Sequence, residues 1–379
     1  MNNYLVLGAG RMGRAIAYDI LKQDEESDVV LIDRDQQNLD ETMDLIKRVN
    51  PAAIEREQVN YFQHDIASKG LGLFMDWADV TIGAANYKYN YDLTKKALSH
   101  KSHFIDLGGN NTVVEKQFTL DNMAKGQGLI VIPDCGLTPG FVSVLIADAM
   151  NELGEADDIK IRVGGLPKDR PGNVLQYMVI FSPTGLINEY IEKCQVLKDG
   201  KLKKILGLSG LESISFEGFP ELEAFNTSGG TSTLPKTYAG RIKNLDCKTI
   251  RYEGHCKKMK KLLDVFEVRE GYPGFREDLE SMIEHLCSYD GEDVTLLRVT
   301  AKNEKKTIIY ELVDYQDDDG FTAMMRTTGF PAAIIGQMIG NGEIKEFGVL
   351  PQESVVPPER FMEELKERGI NIKKKISLK

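Results

Sequence analysis

Short apolar runs alternate with stretches of helical periodicity along the first third of the chain. The runs are rich in β-branched residues and end near Gly, Asp or Asn, which is typical of buried parallel strands. They are Tyr4–Leu7, Val29–Ile32, Val59–Phe62, Val80–Ile82, His103–Ile105 and Leu129–Ile132. Between them, Arg11–Lys22 and Asp35–Lys47 place apolar residues on one helical face, with Asp35 at an N-cap position. The alternation predicts an α/β fold with a doubly wound parallel sheet of the Rossmann type.

The pattern changes after Pro139, where the strand candidates become longer and more polar. Val196–Leu202 contains Asp199-Gly200, a pair suited to a tight hairpin turn. A second hairpin is predicted from Val294–Thr300 and Thr307–Tyr315. Long antiparallel strands with intervening helices indicate a second domain of mixed α/β type.

The C-terminal segment returns to the pattern of the first domain. Phe330–Ile339 is predicted as a buried helix, Phe347–Leu350 as a strand and Pro358–Arg368 as a helix. Because the segment is short for a domain, we expect it to pack onto the first domain and complete it. The predicted domains are a Rossmann domain of residues 1–137 and 322–379 and a second domain of residues 138–321.

A glycine-rich turn joins the first strand to the first helix, with the sequence Gly8-Ala9-Gly10-Arg11-Met12-Gly13. In such a turn the first glycine allows the bend, the second leaves room for a pyrophosphate, and the third lets helix and strand pack closely. Asp33 ends the second strand, where its carboxylate can accept hydrogen bonds from ribose hydroxyls. Together these features predict a dinucleotide site. Another adenosine-containing ligand and a purely structural turn are the alternatives.

The ends of neighbouring strands refine this prediction. The carboxylate of Asp33 repels a 2′-phosphate and favours NAD, whereas the adjacent Arg34 could bind that phosphate and so favour NADP. Asp65 and Ile66 follow the third strand and are expected to hold the adenine. Gly83-Ala84-Ala85 follows the fourth, and its small side chains leave room for the ribose and nicotinamide; a loop without a ligand is the alternative.

Two later strand ends carry groups that could react with a substrate. Hydride transfer from an alcohol or amine carbon needs a base for the accompanying proton, and Asp106 and Asp134 are the candidates. Either could instead cap the following helix. We expect Cys135 to line the ligand site as a small packing residue, since nothing in the sequence indicates the lowered pKa of a nucleophilic thiol.

The second domain contains further candidates for substrate binding. The loop with Thr227, Ser228 and Gly229 concentrates hydroxyls and glycines, a composition suited to a polar ligand or to an ordinary surface turn. Arg251 is a natural partner for a carboxylate. His255 could act as a base or hydrogen-bond a substrate. An ion pair and a structural histidine are the alternatives for these two residues.

Composition narrows the possible partners and locations. A net charge of −11 and a pI near 5.2 argue against nucleic acid or an anionic membrane surface. The five cysteines are widely spaced and form no CxxC pair, which argues against a disulfide framework or a zinc site and suits a reducing cytoplasm. No apolar run reaches the roughly 20 residues of a membrane span, and the early first strand argues against a signal peptide. We therefore expect a cytoplasmic protein with no metal.

Taken together, these segments resemble the saccharopine dehydrogenase-like superfamily, and most closely its lysine 6-dehydrogenase branch. The resemblance runs nearly end to end. Its motifs are Gly8–Gly13, Ile105–Gly109, Pro133–Gly140, Val163–Pro167, Leu222–Leu234, Lys248–His255 and Thr322–Gly329. Where saccharopine reductases typically show a Leu-Asp-Pro-Gly-like motif, this chain has Leu137-Thr138-Pro139-Gly140, which favours the lysine branch.

The resemblance implies oxidation of the ε-amino carbon of L-lysine with NAD, followed by hydrolysis to 2-aminoadipate 6-semialdehyde and ammonia. It implies that the second domain supplies substrate contacts and subunit pairing in a homodimer or higher homo-oligomer. On this view Thr227–Gly230 and Arg251 hold the amino-acid end, and Asp106, Asp134 or His255 handles protons and water. The alternatives are a saccharopine reductase-type enzyme, which joins an amine to an aldehyde, and a non-catalytic NAD-binding sensor.

Overall fold

A computed structural model describes residues 2–266 and 273–379. The chain divides into two compact units, the first formed by residues 1–144 and 325–369 and the second by residues 145–324 and 370–379. The strands are β1 (Asn3–Leu7), β2 (Asp28–Asp33), β3 (Val59–Gln63), β4 (Val80–Gly83), β5 (His103–Asp106), β6 (Ile130–Ile132), β7 (Ala156–Pro167), β8 (Cys194–Lys198), β9 (Lys201–Ile205), β10 (Glu212–Ile214), β11 (Leu222–Asn226), β12 (Ile242–Tyr252), β13 (Asp293–Lys302), β14 (Lys306–Tyr315), β15 (Gly348–Val349) and β16 (Lys373–Leu378). The helices are α1 (Arg11–Gln23), α2 (Gln36–Val49), α3 (Pro51–Glu55), α4 (Leu71–Trp77), α5 (Asn90–Ser99), α6 (Asn111–Phe118), α7 (Asp121–Gln127), α8 (Phe141–Leu153), α9 (Pro183–Ile191), α10 (Leu234–Thr237), α11 (His255–Val265), α12 (Pro273–Leu286), α13 (Ala323–Gly340), α14 (Gln352–Val355) and α15 (Pro358–Glu367).

The first unit is built on a seven-stranded sheet in the order β15-β6-β5-β4-β1-β2-β3, and its neighbouring strands are parallel. The order reverses beside β1, which defines a doubly wound sheet. Because such a sheet is covered on both faces, its central strands are apolar throughout, and Tyr4 to Leu7 are completely buried. The predicted α/β fold with a Rossmann-type sheet is confirmed.

A buried ion pair holds the C-terminal segment in the first unit. Arg368 Nε donates to both carboxylate oxygens of Asp19, at 2.9 and 2.8 Å, and each side chain is 1% exposed. Arg368 Nη2 also donates to Gln337 Oε1 at 2.8 Å. Together with the pairing of β15 on β6, these contacts attach the segment to the first sheet as far as residue 369.

The second unit contains a mixed sheet in the order β10-β11-β12-β7-β13-β14-β16, with β8 paired to β12 and to β9. β12 and β7 are parallel, whereas the other paired strands are antiparallel. Both predicted hairpins are present. In the β8–β9 hairpin, Asp199 and Gly200 have φ of +54° and +72°, the backbone that a tight turn between twisted strands requires.

The last strand differs from the prediction. The sequence analysis placed residues 322–379 together in the first domain, but β16 pairs with β14 of the second sheet, from Glu311↔Lys373 to Lys306↔Leu378. Lys374 Nζ fixes this strand through Asp148 Oδ2 at 2.7 Å. The local pattern of residues 373–378 indicates a strand but does not specify which sheet it joins.

No helix within residues 2–266 or 273–379 is long and apolar enough to cross a membrane.

Candidate active site

The turn between β1 and α1 has the geometry that a dinucleotide requires. Gly8 has φ of +108°, a left-handed conformation, and its amide donates to Ile32 O at 2.7 Å. A Cβ on Gly13 would lie 1.7 Å from Gly8 O, so this close approach of helix and strand depends on glycine. A Cβ on Gly10 would meet no atom of the described residues within 4 Å. The residues present therefore fit a pyrophosphate at the N-terminus of α1, which begins with exposed Arg11 and half-buried Met12.

Asp33 is bonded to the glycine-rich turn itself. Its Oδ2 accepts from the amide of Ala9 at 2.7 Å, and its Oδ1 accepts from the amide of Asp35 at 2.9 Å. Oδ2 also accepts from Asn38 Nδ2 at 3.5 Å, whereas Oδ1 keeps a second lone pair available for a ribose hydroxyl. Arg34 follows directly and is exposed. The end of β2 thus presents a fixed negative charge beside an exposed positive one.

The other residues predicted to contact the cofactor lie at the same edge of the sheet. Gly83-Ala84-Ala85 follows β4, and the amide of Ala84 donates to Leu7 O at 2.9 Å. A Cβ on Gly8 would lie 3.0 Å from Ala84 O, so the two turns are adjacent. Asp65 is exposed and accepts from its own turn at Ala67, whereas Ile66 packs partly against the core. Both follow β3, the edge strand beyond β2.

Asp106 and Asp134, predicted to handle protons, lie together at the ends of β5 and β6. Asp106 is completely buried; its Oδ1 accepts from the amides of Gly108 at 2.7 Å and Asp134 at 3.3 Å, and its Oδ2 accepts from Gln117 Nε2 at 2.6 Å. Burial raises the pKa of Asp106 to about 6. Asp134 is 3% exposed, and a Cβ on Gly108 would lie 1.7 Å from its Oδ1. Asp106 Oδ1 accepts hydrogen bonds from both the turn after β5 and the turn after β6. The geometry therefore favours a positioning role for Asp106.

Cys135 is a buried packing residue in this turn. Its amide donates to Asp106 O at 2.6 Å and its thiol donates to Ile132 O at 3.2 Å, with no part of the residue exposed. Burial, with the nearby carboxylates of Asp106 and Asp134, raises the pKa of the thiol well above its usual value. The side chain therefore has no surface with which to contact a substrate, and the geometry supports the packing interpretation alone.

In the second unit, Arg251 of β12 is buried at 2% exposure. Its Nε donates to Tyr190 Oη at 3.2 Å, its Nη1 donates to Ile250 O at 2.9 Å, and its guanidinium lies 4.8 Å from the centre of the Tyr177 ring. Among the described residues, no carboxylate oxygen lies within 4.0 Å of its nitrogens. A buried cation without an anion is costly, and a ligand carboxylate would neutralise it.

His255 is the first residue of α11 and is completely buried. Its Nδ1 is 2.9 Å from Leu175 O, so this nitrogen carries the proton, and its Nε2, 3.0 Å from Tyr190 Oη, accepts from the hydroxyl. Burial and the charge of Arg251 lower the pKa of His255 to about 3. A neutral ring with both nitrogens engaged orients Tyr190, which in turn receives the hydrogen bond from Arg251. The geometry thus favours a positioning role for His255.

The loop of Thr227, Ser228 and Gly229 is buried rather than an exposed turn. Thr227 Oγ1 lies 2.8 Å from Thr249 Oγ1 on β12, and both residues are buried. The amide of Ser228 donates to Glu189 O on α9 at 2.9 Å. Gly229 has φ of +88°, which favours glycine. The loop is thus held against the strand that carries Arg251 and the helix that carries Tyr190.

The sequence analysis missed Tyr177 and Tyr190, which contact Arg251, and Glu189, whose backbone oxygen accepts from the Ser228 amide. All three lie far from Arg251 in the sequence, so no local spacing marks them. One signal was available, since Ser182-Pro183 is an N-cap followed by proline at the first helical position, which predicts α9. That helix would have placed Glu189 and Tyr190 near its C-terminal end.

Comparison with known proteins identifies the family. The model described as "Saccharopine dehydrogenase NADP binding domain" matches residues 4–132, and "Saccharopine dehydrogenase C-terminal domain" matches residues 136–370. The bovine mitochondrial alpha-aminoadipic semialdehyde synthase is 22% identical over 451 aligned residues, which cover 97% of this chain and 47% of that protein. The chain thus spans about half the length, or less, of the first curated relatives that it matches.

Two further relatives match the chain over nearly its whole length. Carboxyaminopropylagmatine dehydrogenase from Synechocystis is 22% identical over 409 residues, covering 98% of this chain and 96% of that protein. The structure of apo saccharopine dehydrogenase (L-Glu forming) from Saccharomyces cerevisiae superposes with a TM-score of 0.76 at 18% identity, covering all of both chains. The predicted superfamily is confirmed. The chain belongs to the saccharopine dehydrogenase family, and its first unit matches the NADP binding domain of that family.

Proposed function

We propose that this chain is an NAD-dependent dehydrogenase that oxidises the ε-amino carbon of L-lysine. The observation that carries the proposal is the buried guanidinium of Arg251, which has no carboxylate partner among the described residues. A substrate with a free carboxylate would supply that partner. The resemblance of residues 133–140, 222–234 and 248–255 to lysine 6-dehydrogenases supports lysine as that substrate.

The proposed reaction breaks one C–H bond and one N–H bond at the ε-position. A pyridine nucleotide, when bound, would supply the acceptor for the hydride of the ε-carbon, and a proton would leave the nitrogen. Water then adds to the resulting imine of the substrate, and ammonium departs to give 2-aminoadipate 6-semialdehyde. One lysine, one NAD⁺ and one water thus yield one aldehyde, one ammonium, one NADH and one proton.

The residues of the second unit would bind the end of lysine that does not react. Arg251 and the Thr227–Gly230 loop would hold the amino-acid end, while Tyr190 and His255 keep the guanidinium in its orientation. We assign proton handling to Asp134 with Asp106 as its support, because both nitrogens of His255 are already engaged. His255 is therefore proposed as a positioning residue.

The choice of coenzyme rests on Asp33. Its carboxylate is fixed at the end of β2 by two backbone amides, where it would repel a 2′-phosphate and accept from the ribose hydroxyls. The family model carries NADP in its name, and exposed Arg34 offers a partner for a 2′-phosphate, so these two observations favour NADP. We propose NAD because the fixed carboxylate belongs to this chain's own site.

An absorbance assay of reduced coenzyme tests the proposal. The purified protein is given L-lysine, saccharopine or L-ornithine, each with NAD and with NADP. We expect reduced coenzyme with lysine and NAD, and loss of that activity in Arg251→Met, which keeps an unbranched apolar stem but removes the guanidinium and its charge. Turnover of saccharopine without turnover of lysine would contradict the proposed substrate.

A saccharopine dehydrogenase-type reaction is the second candidate function. It is favoured by the two family models and by the yeast structure, whose names specify saccharopine. Such an enzyme joins an amino acid to an aldehyde, or splits the product, at a secondary amine. The same assay separates the candidates, because saccharopine carries that secondary amine and lysine does not.

We also propose a cytoplasmic location and a homo-oligomeric assembly. The five cysteines are free and buried, which supports a reducing, cytoplasmic environment. A homodimer or higher homo-oligomer is expected from the family resemblance alone, and sedimentation of the purified chain would test it.

A further inference from the structure

A cavity of about 280 Å³ lies in the first unit, away from the glycine-rich turn. α1 begins beside that turn, and its last residue, Gln23, lines the cavity at the other end of the helix. The 13 residues of α1 separate the two places by about 20 Å, at a rise of about 1.5 Å per residue. The remaining walls come from the second half of α13, from α15 and from the segment between α13 and β15. The cavity shares no residue with the predicted dinucleotide site or with the substrate site proposed in the second unit.

One wall of the cavity combines apolar side chains with a buried amide. Ile334 and Met338 are 1% and 2% exposed, and Gln337 between them in the sequence is 8% exposed. Arg368 Nη2 donates to Gln337 Oε1 at 2.8 Å, which fixes the amide group. Gln337 Nε2 forms no hydrogen bond with any described residue. Because a buried donor without an acceptor is costly, an oxygen atom of a ligand would stabilise this amide.

Four carboxylates and a single guanidinium also line the cavity. The guanidinium, that of Arg360, pairs with Glu343 at 3.4 Å and with Glu364. Asp24 and Glu367 have no cationic partner within 4.0 Å among the described residues. Asp24 accepts hydrogen bonds only from its own turn, and Glu367 forms none with the described residues. The lining therefore carries an excess of negative charge, which attracts a cation.

We propose that this cavity binds a basic α-amino acid, of which L-lysine and L-arginine are examples. The two cationic groups of the ligand pair with Asp24 and Glu367, and its carboxylate accepts from Gln337 Nε2. Its methylene chain packs on Ile334 and Met338. The proposal does not depend on the reaction proposed above, because no residue of the cavity belongs to that site.

Ligand classes differ in how many of these groups they satisfy. A diamine would pair with the carboxylates but leave Gln337 Nε2 without an acceptor. A neutral α-amino acid supplies the acceptor but only one cationic group for two unpaired carboxylates. A basic α-amino acid supplies all three groups, and its net positive charge offsets part of the negative charge of the lining. The size agrees, because pockets for drug-sized ligands begin at about 300 Å³, so that a cavity of about 280 Å³ suits a small metabolite.

Methyl NMR of the full chain tests the proposal at the cavity itself. The methionine methyl groups are labelled with ¹³C, and the signal of Met338 is assigned by its loss in Met338→Leu, a volume-conserving change. Without coenzyme, the protein is titrated with L-lysine, L-arginine, L-norleucine, which lacks the side-chain cation, and 1,5-diaminopentane, which lacks the carboxylate. We expect the first two to shift the Met338 signal at concentrations at least about tenfold lower than the last two, since a charge-assisted hydrogen bond contributes about this factor or more. No shift with L-lysine and L-arginine, or equal affinities for L-lysine and L-norleucine, would overturn the proposal.

Variants test the two kinds of contact separately. Gln337→Glu keeps an oxygen for Arg368 but replaces the free donor with a second carboxylate oxygen. Affinity for L-lysine should then fall at least about tenfold, whereas affinity for 1,5-diaminopentane should rise. Glu367→Gln should weaken L-lysine about tenfold, and Glu359→Gln, which alters an exposed carboxylate of the same helix outside the cavity, is the matched control and should not. Equal losses for both ligands in Gln337→Glu would contradict binding of a carboxylate at the amide and overturn the proposal.

The same titration in Arg251→Met separates the cavity from the proposed substrate site. Arg251 lies in the second unit, and L-lysine is proposed to bind there as substrate. The shift of the Met338 signal should persist in this variant at the same concentrations of L-lysine, whatever the turnover assays show. Its loss would assign the shift to the substrate site and overturn the proposal for the cavity.

Discussion

Two glycines of the β1–α1 turn should respond to alanine in opposite ways. At Gly13, a methyl group would lie 1.7 Å from Gly8 O, a backbone atom that can move only with the turn. At Gly10, a methyl group would meet no described atom within 4 Å, and the backbone angles of −67° and −172° are open to any residue. Gly13→Ala therefore disturbs the fold, whereas Gly10→Ala disturbs only what binds beside it.

The magnitudes follow from these distances. Overpacking of this kind costs about 1–3 kcal/mol, and each kcal/mol lowers the melting temperature of a unit of this size by about 2–4 °C. Gly13→Ala should therefore melt roughly 2–12 °C below the unaltered protein. Gly10→Ala should melt within about 2–4 °C of the unaltered protein, because the lower entropy of the unfolded chain stabilises by about 0.4–1 kcal/mol, while alanine is less favourable than glycine at the N-cap of α1 by a similar amount. Both should bind dinucleotide at least about tenfold more weakly.

The assay combines thermal melting with titration of reduced coenzyme, followed by its fluorescence. Gly126→Ala is the control, because Gly126 lies in α7, and a methyl group there would meet no described atom within 4 Å. It should keep full affinity for coenzyme. Unchanged affinity in Gly10→Ala would refute the location of the pyrophosphate, and an unchanged melting temperature in Gly13→Ala would refute the close contact of α1 with β1.

Two further predictions concern charge. Asp33→Ser removes the carboxylate that opposes a 2′-phosphate, so the ratio of kcat/KM for NAD to that for NADP should fall about tenfold or more; an unchanged ratio would contradict the choice of NAD. Arg368→Met leaves the buried carboxylate of Asp19 without its partner and should lower the free energy of unfolding in urea by about 3–5 kcal/mol; a loss under about 1 kcal/mol would show that the pair does not hold the C-terminal segment.

The first unit could be predicted from sequence because its signals are local. Apolar strands, helical periodicity and glycine spacing each occupy a short window, and the sheet of a parallel α/β domain follows from their alternation. The pairing of β16 with β14 could not be predicted, because a short strand does not encode its partner. The same limit applies to the site, where Tyr177 and Tyr190 contact Arg251 only through the fold.

Burial also distinguishes structural from catalytic roles that the sequence alone cannot tell apart. Asp106 and His255 have the chemistry of proton carriers, and spacing alone cannot tell a catalytic group from a structural one. In the fold, three donors surround the carboxylate of Asp106, and both nitrogens of His255 are engaged. Such contacts depend on tertiary packing, which is why the sequence left these roles open.

Oxidation of lysine at its ε-carbon is tested most directly by following the nitrogen. The purified chain is incubated with NAD and with L-lysine labelled with ¹⁵N at either the ε- or the α-position, and the released ammonium is analysed by mass. The account predicts labelled ammonium from the ε-labelled substrate alone, in a one-to-one ratio with NADH. Labelled ammonium from the α-labelled substrate, or NADH formed without ammonium, would contradict it.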